Sequence, residues 1–473
     1  MTVFKENLIE SVVGNGYCVG CGACAAVTSS PYEMTTNSIG QYEAQLDRKK
    51  NLETEVTGVC ESVCPFSATS KNEDEIGRSL YSKDCSHNPN VGYYRNAYAG
   101  YVVEGDFRKL GSSGGFGTWL LHELFRTDRI DAVIHVQPSD ANSEKKFIYT
   151  ISHSLDDIQS GSKSRYYPIE LSEVVKIVRE NPNRYAIIGL PCFIKSVRLV
   201  ASVDKVISDR IKYCIGLVCG GLKSTHYADS LAWQVGVTPQ ALDNIDFRIK
   251  DAEAAANKYS TLVSSRAGEI IIPTNQLFGT DWGIGAFKYK SCDFCDDVFA
   301  ETADVVLGDA WLPEYVHDGS GTNVLVVRSD DIFNMIEAAI EEGRVKLDGI
   351  KIERAIASQD AGIRHRKHAL SYRLQLEKEK GNWTPPKRVN VDSFKISEFE
   401  KRRQELRIKM RDTSHSAFQL ALKNDDVNIY INEMSPIYKH YKDIKGSRLE
   451  RVSKFTKRVS NFIKRKLRQL SND

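Results

Sequence analysis

Cys18-Val19-Gly20-Cys21-Gly22-Ala23-Cys24 sets three cysteines at intervals of three, with small residues between them. A glycine-relaxed loop of that composition turns three thiolates toward one inorganic group, and the fourth ligand has to come from elsewhere. Cys64, in Cys60-Glu61-Ser62-Val63-Cys64-Pro65, is the best candidate. A cysteine followed by proline, after an earlier C-x-x-C-x-x-C run, closes a 4Fe-4S site. Zinc competes, since it also takes four thiolates, but structural zinc sites usually pair two separated C-x-x-C knuckles.

The rest of the chain sets bounds on this reading. A length of 473 residues allows two or three domains around a large core, and 41% hydrophobic with 27% charged residues is ordinary for a globular protein. The net charge of +2 gives no global pull toward nucleic acid, and none is expected as a partner. Eleven cysteines in so long a chain, clustered as they are, point to metal binding in a reducing compartment rather than to a disulfide scaffold. Residues 1–11 carry Lys5, Glu6 and Glu10 and do not read as a signal peptide, and no run of 18 apolar residues occurs. The cytoplasm is the expected location.

Residues 1–80 read as a small ferredoxin-like module. Two-cluster ferredoxins carry four cysteines in each half; here the first half has three and the second keeps Cys60 and Cys64. Cys60 is left over, either as an inert thiol or as a donor to a second cluster. Further on, Gly111-Ser112-Ser113-Gly114-Gly115 precedes Trp119, Leu120, Leu124 and Phe125 at helical spacing, so a helix begins near Gly115. Its N-terminus offers backbone N–H groups to a phosphate, although a simple capped turn fits the same residues. Ser160-Gly161-Ser162-Lys163-Ser164 is polar and basic, suited to a pyrophosphate or to plain solvent.

Strands are expected at 130–136, 184–190 and 211–221, and a helix from 224 to about 235. This alternation argues α/β architecture. Two of the strands end at a cysteine, Pro191-Cys192 and Val218-Cys219, where open α/β sheets place ligands. Cys214, inside a strand, reads as core filling. Shorter strands follow at 245–249, 261–264 and 269–272, with an antiparallel flavour. Cys292-Asp293-Phe294-Cys295 is the second strong cysteine signal, followed by Gly308-Asp309-Ala310-Trp311. Counting assigns Cys60, Cys292, Cys295 and Cys192 to a second cluster, with Cys219 in reserve; Cys192 is preferred because Pro191 stiffens its approach and a helix start favours thiolate. A strand at 324–327 and a helix at 331–342 close the globular part. The basic stretch 358–366 reads equally as solvated surface or as an anion site.

The ordered set C-x-x-C-x-x-C, Cys-Pro, Ser-Ser-Gly-Gly, Gly-Ser-Lys, Leu-Pro-Cys, Val-Cys-Gly-Gly, C-x-x-C and Gly-Asp-Ala-Trp resembles the family of coenzyme F-420 hydrogenase/dehydrogenase beta subunits over roughly residues 15–390. The resemblance implies an iron–sulfur flavoprotein oxidoreductase that binds FAD and passes electrons between 4Fe-4S clusters, one or two in number, and a hydride-accepting partner. Gly-Asp-Ala-Trp, Leu-Pro-Cys and Val-Cys-Gly-Gly depart from the family's usual Gly-Asp-Phe-Trp, Thr-Pro-Cys and Cys-His-Gly. Carried onto this chain, the FAD contacts fall on Ser113, Gly114, Gly115, Thr118, Gly161, Ser162 and Lys163. Arg364, Arg366, Tyr372-Arg373 and Pro385-Pro386-Lys387-Arg388 look like a bacterial branch found beside polysaccharide-assembly proteins. The implied partners are a small electron-donor protein such as a ferredoxin and a small-molecule or glycan-related substrate. The alternatives are a metal-braced scaffold, or a flavin-free enzyme, of a polysaccharide-biosynthesis complex.

The expected organisation is thus α+β or α/β. A ferredoxin-like 4Fe-4S module (1–80) is followed by a mixed α/β flavin-binding domain with the C-x-x-C (81–390) and a helical basic extension (391–473). Within the extension Leu449, Val452, Phe455, Val459, Phe462, Ile463 and Leu467 recur at steps of three and four among many Lys and Arg. Such a helix either packs on its own domain or docks on an anionic membrane surface, which would put the protein at the inner face of the membrane.

Overall fold

The computed structural model describes residues 7–50, 54–139, 143 and 145–444; the amphipathic stretch 448–468 lies outside them. The described chain divides into two compact units, one of 7–280 with 287–395, the other of 281–286 with 396–444. The cysteine-rich start of the chain belongs to the first unit together with the large sheet.

Eight strands make that sheet: β1 (Asn96–Val102), β2 (Ala132–Pro138), β3 (Phe147–Ser152), β4 (Tyr185–Gly189), β5 (Ile211–Leu217), β6 (Val305–Asp309), β7 (Asn323–Val327) and β8 (Val345–Gly349). Their order across the sheet is β8-β1-β7-β6-β5-β4-β2-β3. β2, β4, β5 and β6 run parallel, and β7, β1, β8 and β3 are added antiparallel at the flanks. The sheet is mixed, as an α/β pattern with added hairpins produces. Asn323-Val324-Leu325-Val326-Val327 is buried along its whole length, which is why this strand reads as a continuous apolar run rather than an alternating one.

The core forms where helices cover the sheet. Trp119, Leu120 and Leu124 of the helix Phe116–Arg126 and Ile332 and Ile336 of the helix Asp330–Glu341 pack with Val133, Ile215, Val305 and Leu325. Gly115 caps the first of these helices, at the start expected from its spacing. The three short strands expected between residues 245 and 272 are Leu242–Ile249, Ser260–Ser265 and Gly268–Pro273, a separate antiparallel sheet. In the second unit the helix Glu398–Asn424 starts at Ser397, whose hydroxyl accepts from the Glu400 N–H. It packs Phe418 edge-on against Tyr430, ring centroids 5.9 Å apart.

One consequence of the parallel strands positions the site. β4 and β5 pair Gly189 with Gly216, so both strands finish at one edge of the sheet. Cys192 and Cys219 follow those ends, and Asp309 ends the neighbouring parallel strand β6 at the same edge. The carboxyl edge of a parallel sheet is where this architecture offers room for ligands.

Candidate functional site

Four thiols meet near the start of the chain. Cys18 and Cys21 lie in the glycine loop, Cys24 on the short helix Ala23–Ala26, and Cys64 in the turn after the helix Thr54–Ser62. Gly22 caps the short helix with φ of +81°, and a Cβ there would lie 2.9 Å from the Ser172 N. Only glycine combines that backbone with that approach. Burial raises the Cys24 thiol, and Cys18, Cys21 and Cys64 add repulsion; Cys64 is raised by burial and then by Cys21. Burial also pushes Cys21 up to about 12, while hydrogen bonds from Ala23 N–H and the Ser196 hydroxyl pull the other way. Backbone N–H groups of Ala44 and Gly20 serve Cys18 in the same sense, and those of Phe66 and Ser67 serve Cys64. Cys18 and Cys64 reach the surface in part.

A second quartet consists of Cys192, Cys219, Cys292 and Cys295, which together line one small cavity with Val19, Phe66, Leu190 and Arg366. Counting by sequence offers Cys192 and Cys219 as alternatives for a single place, and the structure uses both. The parallel register of β4 and β5 delivers the two strand ends side by side. Cys60, assigned by the same counting to this set, is elsewhere. It is fully buried on the helix Thr54–Ser62, where its thiol donates to the Cys24 carbonyl at 3.4 Å and to Ser30 Oγ at 3.6 Å. It backs the first quartet and does not line the cavity that Cys192, Cys219, Cys292 and Cys295 share. Cys214 is fully buried within β5, as core filling requires.

The second quartet is clamped by charge. Leu222 N–H donates to Cys292 Sγ at 3.2 Å, and the Cys295 thiol donates to the Asp297 carbonyl at 3.4 Å. Arg366, 2% exposed, donates to Cys219 Sγ at 3.5 Å and to the Asp297 carbonyl at 3.2 Å. It sits on a turn of π-helix, Arg364–His368, the wide helical form that recurs at functional sites. Arg373 fixes that turn to the C-x-x-C loop, donating to the Asp293 carbonyl at 2.7 Å and the His365 carbonyl at 2.6 Å. The stretch 358–366 is therefore divided. Arg364 pairs with Asp360 at the surface, and His365 and Arg366 turn inward. Burial raises the Cys192 thiol, and Cys295, Cys219, Cys292 and then Cys21 of the first quartet add to it. Val19, between Cys18 and Cys21, and Phe66, two residues after Cys64, line the cavity of the second quartet, so the two quartets adjoin.

Among the described residues no three Cys, His, Asp or Glu side chains are close enough to share a single metal ion. Neither quartet is preformed as a mononuclear site. The thiols of the second quartet line a small cavity instead of converging on a point.

The two Gly/Ser loops also meet. Ser164 N–H donates to Ser112 Oγ at 2.9 Å. Part of the first loop is occupied by packing: Ser113 is buried with its hydroxyl donating to the Thr322 carbonyl, and the Phe116 N–H at the helix start donates to Asn323 Oδ1. A Cβ on Gly114 would lie 2.7 Å from the Gly100 carbonyl oxygen. Thr118 is buried on the first turn of that helix, and Gly161 lies against the His135 ring. Around the junction stand four cations. Lys163 pairs with Asp246 at 3.2 Å and Arg248 with Asp309 at 2.8 Å. Lys250 donates to the carbonyls of Ser113 and Ser320, and Arg108 pairs with Asp318. Burial, then Lys163, Arg108 and Arg248, pull Lys250 down to about 8. Asp309 and Arg248 carry no individual signal in the sequence; the Gly-Asp-Ala-Trp motif is the only pointer to them.

No helix among the described residues is long and apolar enough to cross a membrane. Residues 97–176 match the family model of the coenzyme F420 hydrogenase/dehydrogenase beta subunit N-terminus, and 182–353 that of its C-terminus. The first takes in both Gly/Ser loops and the second all four thiols of the second quartet. The coenzyme F420-dependent sulfite reductase of Methanocaldococcus jannaschii is 23% identical over 361 residues, 72% of this chain and 49% of that protein. A component of the F(420)H(2) dehydrogenase of Methanosarcina mazei is 23% identical over 60% of this chain and 82% of its own length. The chain thus spans about half the length of the first of these relatives. A chain of the F420-reducing [NiFe] hydrogenase complex from Methanosarcina barkeri superposes with a TM-score of 0.48 and 15% identity, over 64% of this chain and 98% of that one. The two family models together take in more than half of the 473 residues, and the chain belongs to the family of coenzyme F420 hydrogenase/dehydrogenase beta subunits.

Proposed function

We propose that this chain is an iron–sulfur flavoprotein oxidoreductase that passes electrons between two 4Fe-4S groups and FAD. The observation that carries the reading is that Val19 and Phe66, from the loops that bear Cys18, Cys21 and Cys64, line the same cavity as Cys192, Cys219, Cys292 and Cys295. The donor sets fit the group. Four thiolates packed together and out of water repel one another, and a positively charged inorganic core is what holds them deprotonated. The N–H groups aimed at Cys18, Cys64 and Cys292 suit cluster sulfurs equally. When bound, the clusters exchange single electrons, and the flavin collects two and hands them on as hydride.

The chain's own residues supply position and charge. Cys18, Cys21, Cys24 and Cys64 hold the first group, and the part-exposed Cys18 and Cys64 offer the side on which a small donor protein such as a ferredoxin would dock. Cys192, Cys219, Cys292 and Cys295 hold the second, deeper in the sheet's carboxyl edge. Lys163, Arg248, Lys250 and Arg108 stand around the junction of the two Gly/Ser loops as charged donors for a pyrophosphate, three of them paired with Asp246, Asp309 and Asp318. Ser112, Gly161 and Ser162 are part-exposed in these loops, while Ser113, Gly114 and Thr118 are buried. A hydride-accepting small molecule is the substrate class. Coenzyme F420, which the relatives' names carry, is the first to test, beside glycan-related acceptors.

Anaerobically purified protein tests the reading. The expected result is about eight irons and eight sulfides per chain, with one FAD released on denaturation. A colourless protein carrying zinc would replace it with a metal-braced scaffold, and a brown protein without flavin would remove the FAD.

A further inference from the structure

Arg366 lies outside the segments matched by the family models, yet its guanidinium is the one side-chain cation lining the second quartet's cavity among the described residues. A guanidinium keeps its charge at any pH a protein survives. Among the described residues its hydrogen-bond partners are the Cys219 sulfur and the Asp297 carbonyl, and no carboxylate stands at ion-pair distance from it. The other cations near this quartet are paired: Lys288 with Asp293, and Lys387 with Asp296 at 3.8 Å. Arg366 therefore presents its positive charge to the quartet from a buried position, in hydrogen-bond contact with Cys219, while the Asp297 carboxylate also bears on Cys295. The turn that carries it is pinned by Arg373, so the charge is held where it is.

The first quartet has a different electrostatic setting. Among the described residues no guanidinium or ammonium hydrogen-bonds a sulfur of this quartet; the buried Lys195 beside Cys64 donates to the Pro65 carbonyl and pairs with Glu73 at 3.2 Å. Adding an electron to a cluster adds negative charge. A fixed cation in a water-poor site favours that step, and a carboxylate opposes it.

Resting on the two-cluster reading above, we propose that Arg366 is a positioning charge that makes the second quartet's cluster the easier of the two to reduce, and so directs electrons from the first quartet to the second. Each transfer moves one electron from a reduced first cluster, which is oxidised, to an oxidised second cluster, which is reduced. No bond is made or broken at Arg366.

The experiment is a redox titration of the whole iron-loaded protein followed by electron paramagnetic resonance, with Cys219→Ser identifying the second quartet's signal. Three proteins are compared: unsubstituted, Arg366→Lys and Arg366→Gln. In Arg366→Gln the reduction equilibrium of the second signal should fall at least tenfold, about 59 mV for a one-electron couple, with the first signal unmoved and eight irons retained. Arg366→Lys should stay within threefold of the unsubstituted protein. An unmoved second signal in Arg366→Gln with its iron intact overturns the proposal, because a merely structural arginine would behave that way. Should Arg366→Gln shed four irons, Arg366→Lys decides. Full iron and an unmoved potential uphold the role of charge; lost iron or a tenfold shift overturns it. Failure of the underlying reading is separate, since the unsubstituted protein would then hold fewer than eight irons or show one signal.

Discussion

Three thiols of the first quartet come from one seven-residue loop, Cys18 to Cys24, whereas those of the second are collected from Cys192, Cys219 and the Cys292–Cys295 pair. The first is shaped by glycines and local backbone N–H groups. The second depends on two parallel strands ending in register and on a π-helical turn far along the chain. Chain closure is nearly complete in the first loop before any folding, but the second quartet exists only once the sheet does. The difference teaches that the same donor set is specified locally in one place and by topology in the other. It also separates their environments, since among the described residues a guanidinium hydrogen-bonds a sulfur only in the second.

The strongest way to break this comparison is through the ligands. Cys219→Ser should lose about four of eight irons, and Cys60→Ser should lose none, as read by iron and sulfide analysis. The reverse pattern would restore Cys60 to the second set and dissolve the contrast. Next in size is Arg373→Met. At 1% exposure its loss leaves the Asp293 and His365 carbonyls buried without their donor, a cost of roughly 3–4 kcal/mol. Thermal melting should fall, and iron should leave the second quartet while the first keeps its own. Equal loss from both would show that the first quartet is no more self-sufficient than the second.

A pH series probes a region apart from both quartets. Burial pulls His135 down to about 4 from an ordinary value near 6.5, because its ring is held neutral beside Ser152 and Gly161. Below pH 6.5 the unfolded chain takes up a proton at this site that the folded chain refuses. The stability it contributes is thus complete above about 6.5 and is lost as pH falls toward 4, by up to roughly 3 kcal/mol. His135→Gln should flatten that slope in urea titrations between pH 7 and 4; an unchanged slope would remove His135 as its source. The smallest effect is expected at Lys163→Ala. Removing one cation from the loop junction should weaken FAD retention about tenfold, near 1.4 kcal/mol, by equilibrium dialysis. Retention equal to the unsubstituted protein would take Lys163 out of the phosphate contact.

Much of the architecture was legible in residue patterns. The helix after Gly115, the strands ending before Cys192 and Cys219, and the three short strands near 245–272 all occupy their expected places. β1, β3 and β8 were not expected: short flanking strands carry weak alternation, and β1 and β8 owe their pairing to partners distant in sequence. The Gly/Ser loops were found as motifs, but the sequence did not reveal that Ser113 and the Phe116 N–H would be occupied by Thr322 and Asn323.

The amino-acid sequence by itself determined what is local. Three cysteines three apart with glycines between them can form one cradle, and an apolar run followed by Pro-Cys can end a buried strand at a thiol. Tertiary structure alone decided what depends on distant chain. It put both strand-end cysteines in one cavity, kept Cys60 behind Cys24, and turned Arg366 inward while Arg364 faces solvent. The physical reason is that a sequence pattern reports periodicity along one element. Which ends of two parallel strands become neighbours follows from sheet register, and which side of a helical turn meets them follows from packing between residues more than a hundred positions apart.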